Sequence, residues 1–454
     1  MNSPLSPDNT KVSRSAVEEP PSLPAPSRAP APAAQAPVEI PAAARGRFAT
    51  LPLLAGRAFI PLGLFARLPL AMLTVGTLTL VTSASGSYAL GGMAAGAVGI
   101  GSAVGAPLLG ALADRRGQRP VLLLAALLNS IAVFSLILVV WATGGAPGVP
   151  AAVLAAAFLS GASCPQVGPL ARVRWMALTS SGAATDQARN LDTALSYEST
   201  ADEVTFVLGP ALVGLLASLV APWLPLALAV VLTITLVPAF AVHPTHRAVP
   251  LSRPATENYT PAHEKTVRRP FPAAVALPVL AMVCMGTFFG STQTALSSFS
   301  AGFAGSEAAG LLYAVMGLSS AATALSVAYW PQGFRLSWRW VSCAGLMAAL
   351  SLLLFLPSSM PAMVAVLLIL GLPVGPVMVT VFAVGGLVAP AGRLGTVMTA
   401  LASGIVAGTA LGSSIGGQLA ESHGYAGAFL VPVCAAAALA LLGAGAAVVL
   451  RKKA

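Results

Sequence analysis

The chain has 454 residues, of which 56% are hydrophobic and only 8% are charged, against about 25% charged residues in an ordinary soluble domain. This composition excludes a soluble enzyme and predicts an integral membrane protein. The formal net charge is +10, but no soluble segment combines a basic face with aromatic residues, so we expect no nucleic-acid partner.

Residues 1–44 are rich in proline, alanine and serine, a composition that buries too little apolar surface to fold. The sequence therefore predicts a disordered cytoplasmic tail. The rest of the chain contains about twelve apolar blocks, each long enough to cross a hydrocarbon core of about 30 Å as a helix. The predicted spans are 59–82, 86–111, 119–142, 150–172, 194–218, 222–242, 272–298, 308–330, 340–357, 361–388, 395–419 and 425–450. These spans predict an all-α membrane protein with twelve transmembrane helices and leave no room for a catalytic domain.

The basic residues fall in alternate connections between the predicted spans. With the N-terminus in the cytoplasm, every Lys and Arg except Arg67 lies in a cytoplasmic segment, and Arg172 and Arg174 are placed after span four. This positive-inside bias predicts that both termini are cytoplasmic. The longest connection, 243–271, forms a cytoplasmic linker between two predicted six-helix bundles, 45–242 and 272–450, and residues 451–454 form a basic C-terminal tail.

The two bundles share a weak internal repeat. Val167-Gly168-Pro169 recurs as Val374-Gly375-Pro376, and the same spacing relates Gly209 to Gly416. Two repeats of six helices are typical of transporters that move one half against the other around a site near the membrane midplane.

The turn after span two carries the most specific motif. It reads Gly110-Ala-Leu-Ala-Asp114-Arg115-Arg116-Gly117-Gln118-Arg119. Here an acid at the membrane edge precedes guanidinium groups, and fork-like ion pairs can form and break; a positively charged stop-transfer loop is the alternative interpretation. The segment resembles the signature loop of the major facilitator superfamily, except that Gln118 replaces a basic residue. The resemblance covers roughly residues 57–450. It implies two pseudo-symmetric six-helix halves and a charge network of Asp114 and Arg115 that holds the outward-facing state.

Span five carries three acids near the membrane interior, Glu198, Asp202 and Glu203. A charge there costs roughly 2.5–3.5 kcal/mol on insertion scales unless it is paired, protonated or hydrated. At 100° per residue, Glu198 and Asp202 share one stripe of the helix and Glu203 lies on another. We expect Arg67 to pair first with Glu198. An acid left without a cation is a candidate for proton coupling; the alternative is that all three are structural, paired with Arg67 or with the signature-loop arginines.

The same span continues with Gly209, Pro210 and Gly214. These residues resemble the span-five motif of proton-coupled antiporters, with Thr205 and Val213 in place of two of its glycines. Pro210 removes a backbone donor and kinks the helix, and glycines allow close helix approach. The resemblance favours export over import, and a generic proline kink is the alternative.

Two glycine ladders occur in spans two and eleven, the first at Gly92, Gly96, Gly101 and Gly105, the second at Gly404, Gly408, Gly412 and Gly416. They predict either a sliding contact between the halves or plain seams between neighbouring helices. Gln166 and Gln293, uncharged hydrogen-bonding groups within spans four and seven, are the candidate substrate-cavity residues. Because the predicted spans hold few cations, we expect a neutral or weakly cationic solute rather than a phosphate ester or a dianion.

The sequence thus predicts a multi-pass transporter of the bacterial plasma (inner) membrane that exports a small amphipathic compound in exchange for protons by alternating access. The expected partners are the small-molecule substrate, protons and the lipid bilayer. We expect a monomer with no enzymatic activity, no cofactor and no bound metal ion. The alternatives are a proton-coupled metabolite importer with the same fold and a membrane sensor that does not transport.

Overall fold

The structure is a computed structural model that describes residues 46–143, 150–250, 273–303 and 308–451. These residues form fourteen α-helices joined by turns and short 3₁₀ segments, without a β-strand among them. The predicted tail 1–44, residues 251–271 of the predicted linker and residues 452–454 lie outside the described residues. The helices are α1 Leu51–Ala55, α2 Phe59–Phe65, α3 Leu68–Ser85, α4 Tyr88–Arg116, α5 Gln118–Thr143, α6 Pro150–Ala162, α7 Val167–Leu178, α8 Ala184–Leu219, α9 Leu224–Val242, α10 Ala273–Ala301, α11 Ala308–Ser326, α12 Leu336–Ser351, α13 Met360–Val388 and α14 Leu394–Arg451.

Eleven helical segments of the described residues are long and apolar enough to cross a membrane. α2 and α3 together form the first segment, and α6 and α7 together form the fourth. The last segment belongs to α14, which spans 58 residues and is interrupted at Gly424, where φ is 68°. Only glycine adopts this left-handed conformation without strain. Counted as two spans on either side of Gly424, α14 completes twelve, and the predicted all-α membrane fold is confirmed.

Two of the spans are broken in the interior of the bundle. The first breaks between α2 and α3 at Arg67, which is the N-cap residue of α3. The fourth breaks between α6 and α7, where Pro165 removes a backbone donor, and Gln166 becomes the N-cap residue of α7. The breaks therefore place two polar side chains at helix starts deep in the protein.

The predicted end of span four is wrong. α7 continues to Leu178, so Arg172 and Arg174 lie inside a membrane-spanning segment rather than in the connection after it. Arg339, placed before span nine by the sequence, likewise lies inside α12 and is buried. A charged residue usually ends an apolar block, but these guanidinium groups have partners in the protein interior and do not need water.

Several glycines of each ladder pack against a helix of their own half. A Cβ atom at Gly105 in α4 would overlap the carbonyl oxygen of Ala162 in α6, and one at Gly408 in α14 would overlap that of Val283 in α10. Gly92 has no atom outside its own helix within 4 Å of such a Cβ. Gly105 and Gly408 therefore form packing seams within their own halves, whereas no seam is seen at Gly92.

The two halves, meaning the first six and the last six spans, meet through a small set of helices. α4 packs against α14, and α8 packs against α11 and α13. α7 also contacts α14. We call the end of the bundle that carries Arg115, Arg335 and Arg393 the basic end, since the basic connections of both halves lie there.

Candidate functional site

A cluster of four buried charges lies in the first half, on three helices. Arg67 Nη2 contacts Glu198 Oε2 at 2.6 Å, and Arg67 Nη1 contacts Asp202 Oδ1 at 2.8 Å. Arg172 Nη2 contacts the other oxygen of Asp202 at 2.7 Å. The side chains of Arg67, Glu198 and Arg172 are at most 3% exposed, and that of Asp202 is 15% exposed. Two cations and two anions cancel, which makes this burial tolerable.

Further hydrogen bonds hold the cluster rigidly. Trp175 Nε1 donates to Glu198 Oε1 at 2.8 Å, and Arg67 Nε donates to the Gly63 carbonyl at 2.9 Å. All four carboxylate oxygens of Glu198 and Asp202 therefore accept a hydrogen bond. The Arg67–Glu198 pair expected from the sequence is present, and Asp202, on the same stripe of α8, joins it. Arg172, the second cation of the cluster, was not predicted from the sequence.

Arg172 also links the two halves. Its guanidinium carbon lies 3.8 Å from the ring centroid of Phe382 in α13, a distance at which the ring face attracts a cation. Charge balance is the signal that could have found it, because two acids on one stripe require more than the single cation Arg67.

Arg174, two residues further along α7, is buried without a carboxylate partner among the described residues. Its Nε donates to Gln118 Oε1 at 2.8 Å, and its Nη1 donates to the Phe240 carbonyl at 2.8 Å and to Thr245 Oγ1 at 3.1 Å. Gln118 is the position where the signature loop departs from its family pattern. A neutral acceptor at this position can bind the Arg174 guanidinium, whereas a basic side chain would repel it.

Glu203 occupies a different environment from the other two acids of α8. It is 8% exposed, and it forms no ion pair within the described part of the chain. Its Oε1 accepts a hydrogen bond of 2.9 Å from Ser320 in α11, which belongs to the other half. One turn away, Thr200 Oγ1 donates to the Ala321 carbonyl at 3.1 Å. The second stripe of α8 thus faces the interface between the halves.

The antiporter-like motif lies further along α8. An added Cβ at Gly209 would lie 2.7 Å from that of Ala71, so α8 approaches α3 closely there. Pro210 lies within α8, and Gly214 has open space around it. Close packing is therefore seen at one of the two motif glycines.

The signature loop makes a contact between the halves at the basic end. Asp114 accepts hydrogen bonds from the backbone N–H groups of Gly395 and Thr396 at 2.8 and 2.7 Å, and from the Thr396 hydroxyl at 2.6 Å. A carboxylate in this position caps the first turn of α14 and is favoured by the helix dipole. Gly110 allows the approach, since a Cβ there would overlap Thr399 of α14.

The rest of the signature loop faces away from this contact. Gly117 forms the turn between α4 and α5 with φ of 89°. Arg115 and Arg119 are exposed, and neither takes part in the ion pairs of the described residues. Among the described residues Asp114 contacts backbone groups and a hydroxyl of α14 and forms no ion pair with Arg115, so the charge network expected from the sequence stays a prediction.

A second contact between the halves at the basic end was missed by the sequence analysis. Asp192 Oδ2 at the start of α8 accepts hydrogen bonds from Arg339 Nη1 and Nη2 of α12 at 3.2 and 3.1 Å. Gln332 Nε2 reaches the same oxygen at 3.4 Å. Together with the Asp114 contact, this ion pair joins the halves at the basic end.

A cavity of about 40 Å³ lies beside the charge cluster. Side chains from both halves line it, among them Arg172, Gln166 and Asp202 from the first half and Phe382 and Ser403 from the second. Gln293, the other cavity candidate, is exposed and does not line this cavity. The described residues contain no group of His, Cys, Asp and Glu that could hold a metal ion.

Twelve spans in two halves, with buried charges and a cavity between them, define the class of secondary transporters. The chain belongs to the Major Facilitator Superfamily, whose family model matches residues 59–402. No curated protein sequence matches the chain significantly. Because this family consists of transporters, its match over residues 59–402 makes the chain a multi-pass membrane transporter and not an enzyme.

Solved structures of low sequence identity share the fold. The structure of the human organic anion transporter MFSD10 (TETRAN) aligns with a TM-score of 0.61 at 19% identity, covering 87% of this chain and 99% of that chain. A bacterial homologue of the iron transporter ferroportin, in an outward-facing state with soaked iron, aligns with a TM-score of 0.62 at 15% identity, covering 86% and 98%. FucP in its outward conformation aligns with a TM-score of 0.56 at 13% identity, covering 86% and 99%. At these identities the likeness establishes the fold alone.

Proposed function

We propose that the protein exports a small amphipathic organic compound in exchange for protons by alternating access, and that Glu203 carries the coupling proton. The observation that carries this proposal is the contrast among the three acids of α8. Glu198 and Asp202 are neutralised by Arg67 and Arg172, whereas Glu203 has a hydroxyl partner from the opposite half. A buried acid without a cation gains from protonation, and its bond across the interface would link that event to movement of the halves.

The moving parts in this proposal are the six-helix bundles 45–242 and 272–450, joined by the linker 243–271. The contacts of Asp114 and Asp192 with the opposite half support a conformation closed at the basic end. With the basic end in the cytoplasm, as the positive-inside bias predicts, this conformation is outward-facing. We propose a monomer in the bacterial inner membrane with both termini in the cytoplasm.

Export is favoured over import by the partial antiporter-like motif at Gly209, Pro210 and Gly214. The structural neighbours belong to transporters of different cargoes: organic anions, iron and, in one case, fucose carried with protons by an E. coli symporter. The fold is therefore compatible with different cargoes and does not by itself select one. One proton that crosses about 100 mV provides roughly 2.3 kcal/mol, which supports a gradient of about 50-fold for a neutral solute.

The test uses inverted membrane vesicles with an imposed proton gradient, acidic inside. A panel of amphipathic compounds is added while the internal pH is followed, for wild type, Glu203→Gln and the matched control Glu421→Gln, which alters an exposed acid. We expect compound-dependent proton release in wild type and in the control, and none in Glu203→Gln. Unchanged release in Glu203→Gln would move the coupling to Glu198 or Asp202. The absence of any response would favour the importer or the non-transporting sensor.

A further inference from the structure

The cavity between the halves contains unpartnered hydrogen-bond donors. Arg172 Nε and the hydroxyl of Ser403 are both buried and have no hydrogen-bond partner among the described residues. Both side chains line the same cavity of about 40 Å³. Arg172 comes from α7 in the first half, and Ser403 comes from α14 in the second. A buried donor without an acceptor is unfavourable, so two of them on residues that line one cavity favour an acceptor group bound there.

The acids of the charge cluster already have partners of their own. Every carboxylate oxygen of Glu198 and Asp202 accepts from Arg67, Arg172 Nη2 or Trp175. The buried unpartnered groups of the lining are a guanidinium N–H and a hydroxyl, and both can donate to an anionic oxygen. Ser102 and the side-chain amide of Gln166 also line the cavity. Because both carboxylates of the cluster are paired with guanidinium groups, a cationic ligand would meet no unpaired anion of the cluster here.

The volume of the cavity and the net charge of the neighbouring cluster further restrict the class of ligand. A cavity volume of about 10–15 Å³ is enough for one water molecule. The volume of about 40 Å³ between the halves therefore admits a group the size of a carboxylate but not a whole drug-sized solute. The four charges of the cluster sum to zero, so one added negative charge is less costly than the two of a dianion. The rest of the lining is largely apolar, including Leu70, Ile405 and Val406.

We propose that this cavity binds the carboxylate of an amphipathic monocarboxylate substrate, with Arg172 Nε and Ser403 Oγ donating to its oxygens from opposite halves. The inference rests on the proposed transport function and names the substrate class of the same protein. It reverses the sequence expectation of a neutral or weakly cationic solute, which assumed Arg67 to be the only cation within the spans. Because the two donors belong to different halves, a bound carboxylate ties them together and favours the closed arrangement around the ligand.

The test measures binding to purified protein in detergent, without a proton gradient, by isothermal titration calorimetry. The probes are octanoate and benzoate, each compared with its neutral amide, octanamide or benzamide. We expect at least one carboxylate to bind and its amide to bind at least tenfold more weakly. A hydrogen bond to a charged group is worth about tenfold or more in Kd. Ser403→Ala should therefore weaken carboxylate binding about tenfold or more.

Ser403→Ala removes a hydroxyl that has no partner within the described residues, so we expect this variant to fold. Its matched control is Ser300→Ala, a buried serine whose hydroxyl bonds its own helix at Ser297. Arg172→Lys, which keeps the charge but lacks Nε, should also weaken binding, and its control is Arg174→Lys. The controls should leave the Kd unchanged.

Three results would overturn the proposal: no carboxylate binds, amides bind as tightly as acids, or Ser403→Ala matches Ser300→Ala. Binding that follows the expected pattern in a protein that releases no protons in vesicles would overturn proton-coupled export and leave the carboxylate site standing. The two proposals therefore fail independently.

Discussion

The buried charge cluster makes a quantitative prediction about stability, because its members are nearly inaccessible to water. Glu198→Gln keeps the shape of the side chain but leaves the two guanidinium groups with one carboxylate. Arg67→Met removes four hydrogen bonds, to the Gly63 and Glu198 carbonyls and to both acids. Removing one partner of a buried ion pair costs about 3–5 kcal/mol. We expect each single variant to lose stability in this range, with Arg67→Met at the upper end.

The double variant Arg67→Met/Glu198→Gln separates charge balance from packing. It leaves Arg172 and Asp202 as a complete pair at 2.7 Å, so no unpaired charge remains. We expect it to lose no more stability than either single variant, giving a coupling energy of about 3 kcal/mol in a double-mutant cycle. The measurement is unfolding in mixed micelles with increasing SDS, followed by tryptophan fluorescence, for which the buried Trp175 beside Glu198 is a local reporter.

The matched control is an ion pair of similar length on the surface. Asp186 and Arg189 lie 2.7 Å apart with side chains about half exposed, at 52% and 48%. Exposed pairs are typically worth below about 1 kcal/mol, so Asp186→Asn should change stability by less than this amount. Additive losses in the cycle, or losses from Glu198→Gln no larger than from Asp186→Asn, would refute the view that burial makes the cluster a single unit.

Two further predictions concern helix packing and the contact at the basic end. Gly408→Val should lower the thermal stability strongly because the valine side chain would overlap the Val283 carbonyl. Gly92→Val is the control and should not, since there is open space around Gly92. Equal effects of the two variants in a thermal unfolding assay would contradict the packing seam between α14 and α10. Asp114→Asn should weaken the cap on α14 by about 1 kcal/mol and increase the population that is open at the basic end, measured by distances between spin labels on the turns after α4 and before α14. Arg115→Gln is the control, and an equal shift in both variants would contradict a specific role for the carboxylate.

The fold could be predicted from the sequence because its determinants are local. Long apolar blocks must become helices in a membrane, since every backbone polar group has to be satisfied within the segment. The interior breaks at Arg67 and Gln166 were less visible, because a short irregular stretch hardly changes the average hydropathy of a span. The interruption at Gly424, by contrast, falls where the sequence predicted the connection between the last two spans.

The candidate site could be predicted only in part, because ion pairs between distant helices are tertiary features. The ion pair of Arg67 and Glu198 could be predicted because each residue is a charge inside an apolar block. Arg172 and Arg339 stand at the edges of such blocks, where a guanidinium group on the surface and one buried against a carboxylate give the same sequence pattern. Only the packing of α7 and α12 distinguishes these two cases.

The arrangement of acids on α8 explains how one helix can provide both a fixed and a movable charge. Glu198 and Asp202 face arginines of their own half, so these pairs stay intact when one half moves against the other as a rigid body. Glu203, about 100° further around the helix than Asp202, faces Ser320 of the opposite half, so its environment must change in the same movement. The proton affinity of Glu203 can therefore depend on the relative position of the halves. Protonation of Glu198, by contrast, would first have to break its ion pair in the cluster. This difference in partners, rather than depth in the membrane, is the reason we propose Glu203 as the acid that couples protons to transport.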